Sequence, residues 1–426
     1  MRRPSRHARA FRAVIKSVGL ATSLFAAAAS AEPASASGEQ RSPVVAAILS
    51  GKPIIDVRYR FETNDTDGFE RRAISNTIRT RFGYETGEIA GVRLLLEFEN
   101  VANLGDDRFN STVNQRTQFP VIADPTATEI NRAEVIFSGI DRTEIRFGRQ
   151  RFNLLNQRFV GAVDFRQNQQ TFDAARLSAE PIRKLSFDYL YIRRVHRVFG
   201  DDHPFGEFEG ESHVFAASYD AGRFGVISAY GLLLDLENGP ANSSKTWGGR
   251  YANKIMIDES AGAELSFAAE YASQRDYARN PFDYRESYLH GEATLVIRSA
   301  SATIGYESLG GNGEIGFSTP LATLHKFQGL ADAFLVTPAL GIEDVYATLA
   351  IEFPALAFFK KPRLFVTAHD FESESGDLDF GRELDAGIVA AITKHWSAEL
   401  SGAVFDGGGS GPADRNVIWA SLRFQY

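Results

Sequence analysis

The sequence predicts an all-β protein: a transmembrane antiparallel β-barrel of about 18 strands, with short turns at one end and longer loops at the other. Three observations carry that expectation. Apolar and polar residues alternate with period two through most of the chain. The connections between these segments alternate between short and long. The composition, 33 Phe, 14 Tyr and 37 Gly against two Met and no Cys in 426 residues, favours strands and turns over helices.

The chain opens on MRRPSRHARAFRAVIK, which carries Arg2, Arg3, Arg6, Arg9, Arg12 and Lys16 without an acid. The short apolar run SVGLATSLFAAAA (17–29) follows, and Ala29-Ser30-Ala31 offers a small-x-small cleavage site. This pattern predicts a signal peptide over 1–31, a periplasmic N-terminal segment over 32–53 and a barrel over 54–426. Cleavage would leave 40 basic and 54 acidic residues, a net charge of −14, too acidic for a nucleic-acid partner. Without cysteine, disulfides, thiolate metal sites and cysteine catalysis are excluded. No later run reaches the ~18–20 apolar residues of a helical span; the longest, LAIEFPALAFF (349–359), contains Glu352 and Pro354.

Strand by strand, the alternation reads as follows. In IIDVRYRFE (54–62), Ile55, Val57, Tyr59 and Phe61 oppose Asp56, Arg58, Arg60 and Glu62. In GVRLLLEFE (91–99), Val92, Leu94, Leu96 and Phe98 oppose Arg93, Leu95, Glu97 and Glu99. KLSFDYLY (184–191), AELSFAAEYA (263–272) and the closing VIWASLRFQY (417–426) repeat the pattern. The full set of expected strands is 54–63, 73–86, 91–100, 130–138, 142–149, 171–180, 184–193, 212–220, 224–236, 245–252, 261–273, 285–298, 301–309, 342–353, 363–372, 382–393, 396–406 and 416–426. Turns such as SGIDR and DAGR follow even-numbered strands, whereas long polar loops follow odd-numbered ones. KIMIDESAG and PALAFFKKP read as two exceptions that lengthen the short side.

Alternation of this kind excludes a β-solenoid, which needs a fixed repeat, and gives a secreted β-sandwich no reason for its loop asymmetry. It suits a barrel in the bacterial outer membrane, with lipid outside and water inside. Aromatic residues near strand ends, such as Phe82, Trp396 and Tyr426, suit interfacial belts. GGNGEIG (310–316) matches a dinucleotide fingerprint only formally, because no βαβ unit surrounds it. Asp65-x-Asp67-Gly68 lacks the spaced Glu of a calcium loop. No catalytic signature, metal site or cofactor is expected.

Charge on the inward face is the functional lead. Expected lumen residues are Arg58, Arg60, Arg79, Arg81, Arg93, Arg132, Arg146, Arg149, Arg151 and Arg166, with Glu97 and Glu134 among the facing acids. Guanidinium forks suit carboxylate-bearing solutes; mutual ion pairing across a wet wall is the structural alternative. The segment GRQRFNLLNQRFVGAVDFRQNQQTFDAARL (148–177) holds five arginines and five glutamines, and reads as a loop too polar to be buried dry. Solute contact is expected at Arg58, Arg79, Arg81, Arg149 and Arg151.

This segment, continued by LSFDYLYIRRVHRVFG, resembles the alginate-export family of outer-membrane barrels. So does GYESLGGNGEIGFSTPLATLHKFQGLADAFLVTPALGIEDVY (305–346), so that the likeness would span nearly the whole mature chain. The resemblance implies 18 strands and an arginine-lined lumen, through which the best-known member exports acetylated polyuronate. It also implies lumen positions for Arg149 and Arg151 of the G-R-Q-R motif. The expectation is a passive outer-membrane channel for anionic or polyhydroxylated solutes, alginate-like sugars included. The expected partners are lipid and solute, with room for periplasmic export or assembly partners. A hydrolase with a loop-rim site and a plugged structural or adhesion barrel are the rival readings. Loops 101–129 and 310–341 are the candidates to narrow the lumen.

Overall fold

The computed structural model describes residues 42–426; the expected signal peptide and residues 32–41 lie outside the described residues. A short helix, α1 (Pro43–Leu49), precedes the strands. These are β1 (Lys52–Thr66), β2 (Ala73–Glu85), β3 (Val92–Asn103), β4 (Ala127–Ile140), β5 (Thr143–Gln150), β6 (Thr171–Ile182), β7 (Leu185–His196), β8 (Glu207–Asp220), β9 (Val226–Leu234) and β10 (Ser244–Asp258). They continue as β11 (Ala263–Asp276), β12 (Arg285–Ile297), β13 (Ala300–Leu309), β14 (Ile342–Glu352), β15 (Ala355–Leu356), β16 (Phe359–Glu372), β17 (Asp379–Ala391), β18 (Trp396–Asp406) and β19 (Arg415–Gln425).

Neighbouring strands run antiparallel, and β1 pairs with β19 from Asp56↔Gln425 to Thr66↔Arg415, so the sheet closes. The two-residue β15 only extends a turn, because β14 pairs directly with β16. The wall is therefore the 18-stranded antiparallel barrel the sequence predicts. Closure has a physical cause: lipid offers no partner to a free peptide group, so a spanning sheet can have no edge.

Connections sort by end. The β4–β5, β6–β7 and β12–β13 hairpins turn within two residues, each with one left-handed residue: Arg142, Lys184 and Arg298. The opposite end carries the long connections, above all 104–126, 151–170 and 310–341. The two expected exceptions on the short side are strand instead. KIMID completes β10, with a register shift between Met256 and Asp258, and β16 begins at Phe359. Lys254–Asp258 are exposed on both faces, so past the apolar band the alternation that identifies a strand is lost.

On the wall, alternate residues meet lipid. Ile304, at the middle of β13, is 64% exposed, and Leu349, Leu384 and Ile418 likewise face outward. Phe82, Trp396 and Tyr426 form part of an exposed aromatic belt at the short-turn end. The inward face is not uniformly polar. Phe172, Leu190, Leu232, Tyr288, Phe371 and Phe405 point inside and are buried, which a water-filled tube does not explain. Ile304 tests the outward assignment. Ile304→Lys would place a charge near mid-membrane and should cost ~2–4 kcal/mol, read by denaturant unfolding of vesicle-reconstituted barrel.

Candidate functional site

The buried apolar half of the wall is covered by loops that turn inward. At Gly148 the backbone adopts φ 116°, and a Cβ there would lie 2.1 Å from the Ala133 carbonyl oxygen. Only glycine lets β5 approach β4 so closely just before the chain leaves the wall at residue 151. The loop 151–170 then bonds to itself, with Leu154 N–H donating to Val160 O (3.0 Å) and Gln170 N–H to Ala162 O (2.9 Å).

Two arginines of β1 hold this loop by its peptide oxygens. Arg58 donates to Asp164 O (2.7 Å), Arg166 O (2.5 Å) and Gln167 Oε1 (2.9 Å). Arg60 donates to Phe165 O and stacks 3.7 Å from the Phe165 ring centre. The amide run that seemed too polar to bury is buried: Gln167, Asn168, Gln169 and Gln170 are 0–4% exposed. Its groups are consumed by structure. Gln167 Nε2 donates to Thr77 Oγ1 (2.9 Å), Asn168 Nδ2 to Val198 O (3.1 Å), and Gln170 Nε2 to both Gly161 O (2.8 Å) and Leu321 O (2.9 Å). Backbone carbonyls in need of donors explain the glutamines; a solute surface does not.

The loop 310–341 locks onto the first. Gly161 N–H donates to Leu321 O (2.9 Å) and Thr323 N–H to Gln157 O (3.1 Å). Arg166 bridges Glu62 (3.3 Å) to Asp332 (3.0 Å), and Arg158 bonds Glu307 (2.8 Å). Burial alone would lower the Arg166 guanidinium, but Glu62, Asp124 and Asp332 outweigh it and hold the group above its ordinary range. From the far wall, Asp385 accepts from Leu330 N–H (3.2 Å) and Glu383 from Ala331 N–H (2.7 Å). Phe317, Leu321 and Phe334 fill the space toward Tyr288, Phe371 and Phe405. Loop 104–126 adds the Asp124 carboxylate, which accepts from Gln167 N–H at 2.8 Å.

These contacts redistribute the expected lumen residues. Arg58, Arg60, Arg79 and Arg81 do lie on the inward face, but they are 0–7% exposed beneath the loop. Direct solute contact at Arg58, Arg79 and Arg81 is therefore corrected: Arg79 pairs with Asp56 (2.7 Å) and Arg81 with Glu99. Glu97 is occupied by a two-pronged bond from Arg132 (3.0 and 2.7 Å), and Glu134 by Arg146 (2.8 Å). Arg149 is a second correction. It shares a face with Ile145 and Phe147, which are 38% and 66% exposed, and binds Asp173 (2.9 Å) on that outer side.

Open to the lumen are Arg93 and Arg146, paired with acids yet about a quarter exposed, and Arg423, paired with Asp56. Arg151 joins them. Burial and the neighbouring Arg132 charge lower its guanidinium, while Glu97 and Asp164 act the other way. Among the described residues no carboxylate comes within ion-pair distance of Arg151 or Arg58. The opposite wall carries acids and histidines. There a cavity of about 300 Å3 is lined by Arg250, His290, Glu292, Tyr346 and His369, with His369 Nδ1 2.9 Å from Asp344. Sequence alternation could place Glu292 and His369 inward, but nothing in the sequence signals that the tip of loop 310–341 faces them.

An 18-stranded closed barrel narrowed by inward loops, with charged side chains on opposite interior walls, defines an outer-membrane channel. Residues 54–289 match the Alginate export family model, and the chain belongs to that family. The match ends before 305–346, so the likeness to nearly the whole chain is met only in part. No curated protein matches by sequence. Among solved structures, Pseudomonas aeruginosa OpdK with vanillate is 11% identical, with a TM-score of 0.70 over 89% of this chain and 99% of that one. P. aeruginosa OccK9 (OpdG) is 14% identical, with a TM-score of 0.69 over 89% and 100%. Acinetobacter baumannii OccAB4 is 12% identical, with a TM-score of 0.69 over 88% and 98%. At these identities the likeness is one of fold.

The ends of loop 310–341 lie together, since a Cβ at Gly311 would lie 2.2 Å from Gly341 N. Deleting residues 312–336 should therefore leave a closable turn and raise single-channel conductance in planar bilayers. An unchanged conductance would place this loop outside the narrowest part of the path.

Proposed function

We propose that the barrel passes small anionic solutes across the outer membrane by passive diffusion along the arginine side of its lumen. The observation that carries this reading is Arg151, a lumen guanidinium with no carboxylate partner among the described residues, next to Arg132. A carboxylate passing there would find a forked donor in reduced dielectric, while Arg93, Arg146 and Arg423 are each paired with acids and add partly exposed guanidinium donors rather than net charge. Family membership supports uronate-type carboxylates as solutes, and the OpdK structure with vanillate is of a barrel of the same fold with a small carboxylate. The interlocked loops favour monomers or short oligomers over a polymer chain. Neither the family nor the fold relatives support the hydrolase reading.

A plugged barrel is the second reading, favoured by the burial of Arg58, Arg60, Arg79 and Arg81 under the loop. Ion conductance of the purified barrel separates the two. The channel reading expects Arg151→Glu to lower the anion-to-cation permeability ratio, read as a shift in reversal potential under a KCl gradient. The shift should shrink as salt rises, because screening lengths fall from ~10 Å at 0.1 M to ~3 Å at 1 M. Arg149→Glu, on the outer face, should leave the reversal potential unchanged. If Arg151→Glu does the same, Arg151 is not on the path.

A further inference from the structure

On the outward face of β10, β11 and β12, near the long-loop end, one row of residues across the three strands is entirely basic. Lys245 stands directly opposite Arg275 in the β10–β11 register, and Arg275 directly opposite Arg285 in the β11–β12 register. Residues so paired have Cβ atoms ~4.5–5.5 Å apart, so the three cations lie side by side. The pleat fixes which way they point. Their chain neighbours Thr246, Gln274 and Tyr284 are buried and bond to one another inside: Gln274 Nε2 donates to Thr246 Oγ1 (2.9 Å), and Tyr284 Oη to Gln274 Oε1 (3.0 Å). Lys245, Arg275 and Arg285 therefore face out. Both arginines are exposed, and the lysine is half-buried.

Like charges directly opposite each other destabilise a sheet, and elsewhere on the outward face at this end arginines are matched with acids. Arg193 meets Glu211 (2.9 Å), Arg382 meets Asp370 (3.0 Å) and Arg149 meets Asp173 (2.9 Å), each across a strand pair. Lys245, Arg275 and Arg285 take part in no ion pair among the described residues. No acid closes the row: Leu233 is its next member on the β9 side, and β13 ends lower, at Leu309 opposite Tyr288. The three cations line a notch of about 670 Å3 at the rim, together with Asp276, Asp283 and Glu286. Asp276 accepts from Tyr284 N–H (3.4 Å), and Glu286 is turned toward Gly310, where a Cβ would lie 2.6 Å from its Oε2. Asp283 belongs to the loop beyond the row. Lys245 lies 5.5 Å from the Tyr277 ring centre, a contact that leaves its charge in place.

Height on the wall identifies the anion. Trp247 and Tyr271, two and four residues nearer the membrane centre on β10 and β11, are 54% and 56% exposed. Leu289, opposite Tyr271 on β12, is 49% exposed. Outward aromatics mark the membrane interface, and two residues add ~7 Å along a strand. The basic row thus stands level with the headgroups of the outer leaflet. A phosphate there carries up to two charges and three acceptor oxygens, enough for three adjacent cations. A soluble anion would meet the row alone, whereas a lipid lays its chains on the apolar wall below. We propose that β10–β12 carry a docking site for a phosphate-bearing lipid of the outer leaflet. Lys245, Arg275 and Arg285 hold the phosphate, and Trp247, Tyr271 and Leu289 lie along the chains. The site faces away from the lumen and does not depend on the anion-channel reading.

The test uses the full-length barrel in neutral detergent, titrated with diphosphoryl lipid A or its dephosphorylated counterpart and read by native mass spectrometry. The diphosphoryl lipid should bind at about tenfold lower concentration. The triple variant Lys245→Gln/Arg275→Gln/Arg285→Gln should raise that concentration about tenfold, while Arg382→Gln, at a matched pair, should leave it unchanged. Equal binding of the two lipids to the unmodified barrel overturns the proposal and needs no variant. Undiminished binding by a folded triple variant overturns it as well. Displacement of the lipid by equimolar inorganic phosphate would assign the row to free anions and overturn the lipid reading. The triple variant should also keep the reversal potential of the unmodified barrel in KCl. A shift there would put the row on the solute path and overturn its placement against lipid.

Discussion

The interior of this barrel depends on how Arg58 meets loop 151–170. A loop inside a membrane barrel brings peptide groups that have left their strand partners, and each one must find another. Arg58 supplies three donors from one planar group, two of them to the alternate carbonyls of Asp164 and Arg166. Arg60, two residues along the same face of β1, takes the carbonyl between them, that of Phe165. Lysine could not do this, because a single ammonium lacks the fixed fork that spans two separate peptide oxygens. Once the loop is fixed at 164–166, Arg166 is aimed at Asp332, and the second long loop is positioned by the first.

The division of labour among the arginines follows. A guanidinium that holds protein oxygens is unavailable to solute, and a barrel with both needs must separate them. Here the separation is by cover, since Arg423 stands across from Arg58 in the register of β1 and β19. Arg58, Arg60, Arg79 and Arg81 lie under the loop, whereas Arg93, Arg146 and Arg423 remain about a quarter exposed. Acids shared among arginines, as Asp56 is by Arg79 and Arg423, limit the desolvation cost of so many buried charges. A static count of lumen arginines therefore overstates the charge that a solute meets.

The wall was legible in the sequence almost in full, because each strand has one face in lipid and one inside, and that contrast repeats every second residue. It failed only where the contrast fails, at Lys254–Asp258 and at the short extension around Ala355, where both faces are exposed. The site was legible in part. Inward positions of Arg93, Arg132 and Arg146 followed from alternation, but burial of Arg79 under a loop does not, since a loop's path leaves no period. Arg149 shows the limit of motif reasoning: G-R-Q-R suggests two equivalent arginines, while the pleat sends Arg149 outward and leaves Arg151 beyond the strand. Gln167–Gln170 were misread for a related reason. Amides reach solvent or carbonyls equally well, and only the fold says which is closer.

Packing apolar loop residues inside a barrel also constrains the charged part of its interior. The cluster joining Phe159, Tyr288 and Phe317 to Phe334, Phe371 and Phe405 excludes water from one side of the interior and ties both loops to the wall. That cluster draws side chains from β6 to β9 and from most strands between β11 and β19, and low-dielectric packing of this kind strengthens the field of any unpaired charge beside it. Arg151, proposed above as a solute contact, lies just past β5, where loop 151–170 leaves the wall. Selectivity in such a channel comes from the geometry that confines the solute as much as from the guanidinium it meets. The same loops that bury four arginines leave Arg93, Arg146 and Arg423 partly exposed.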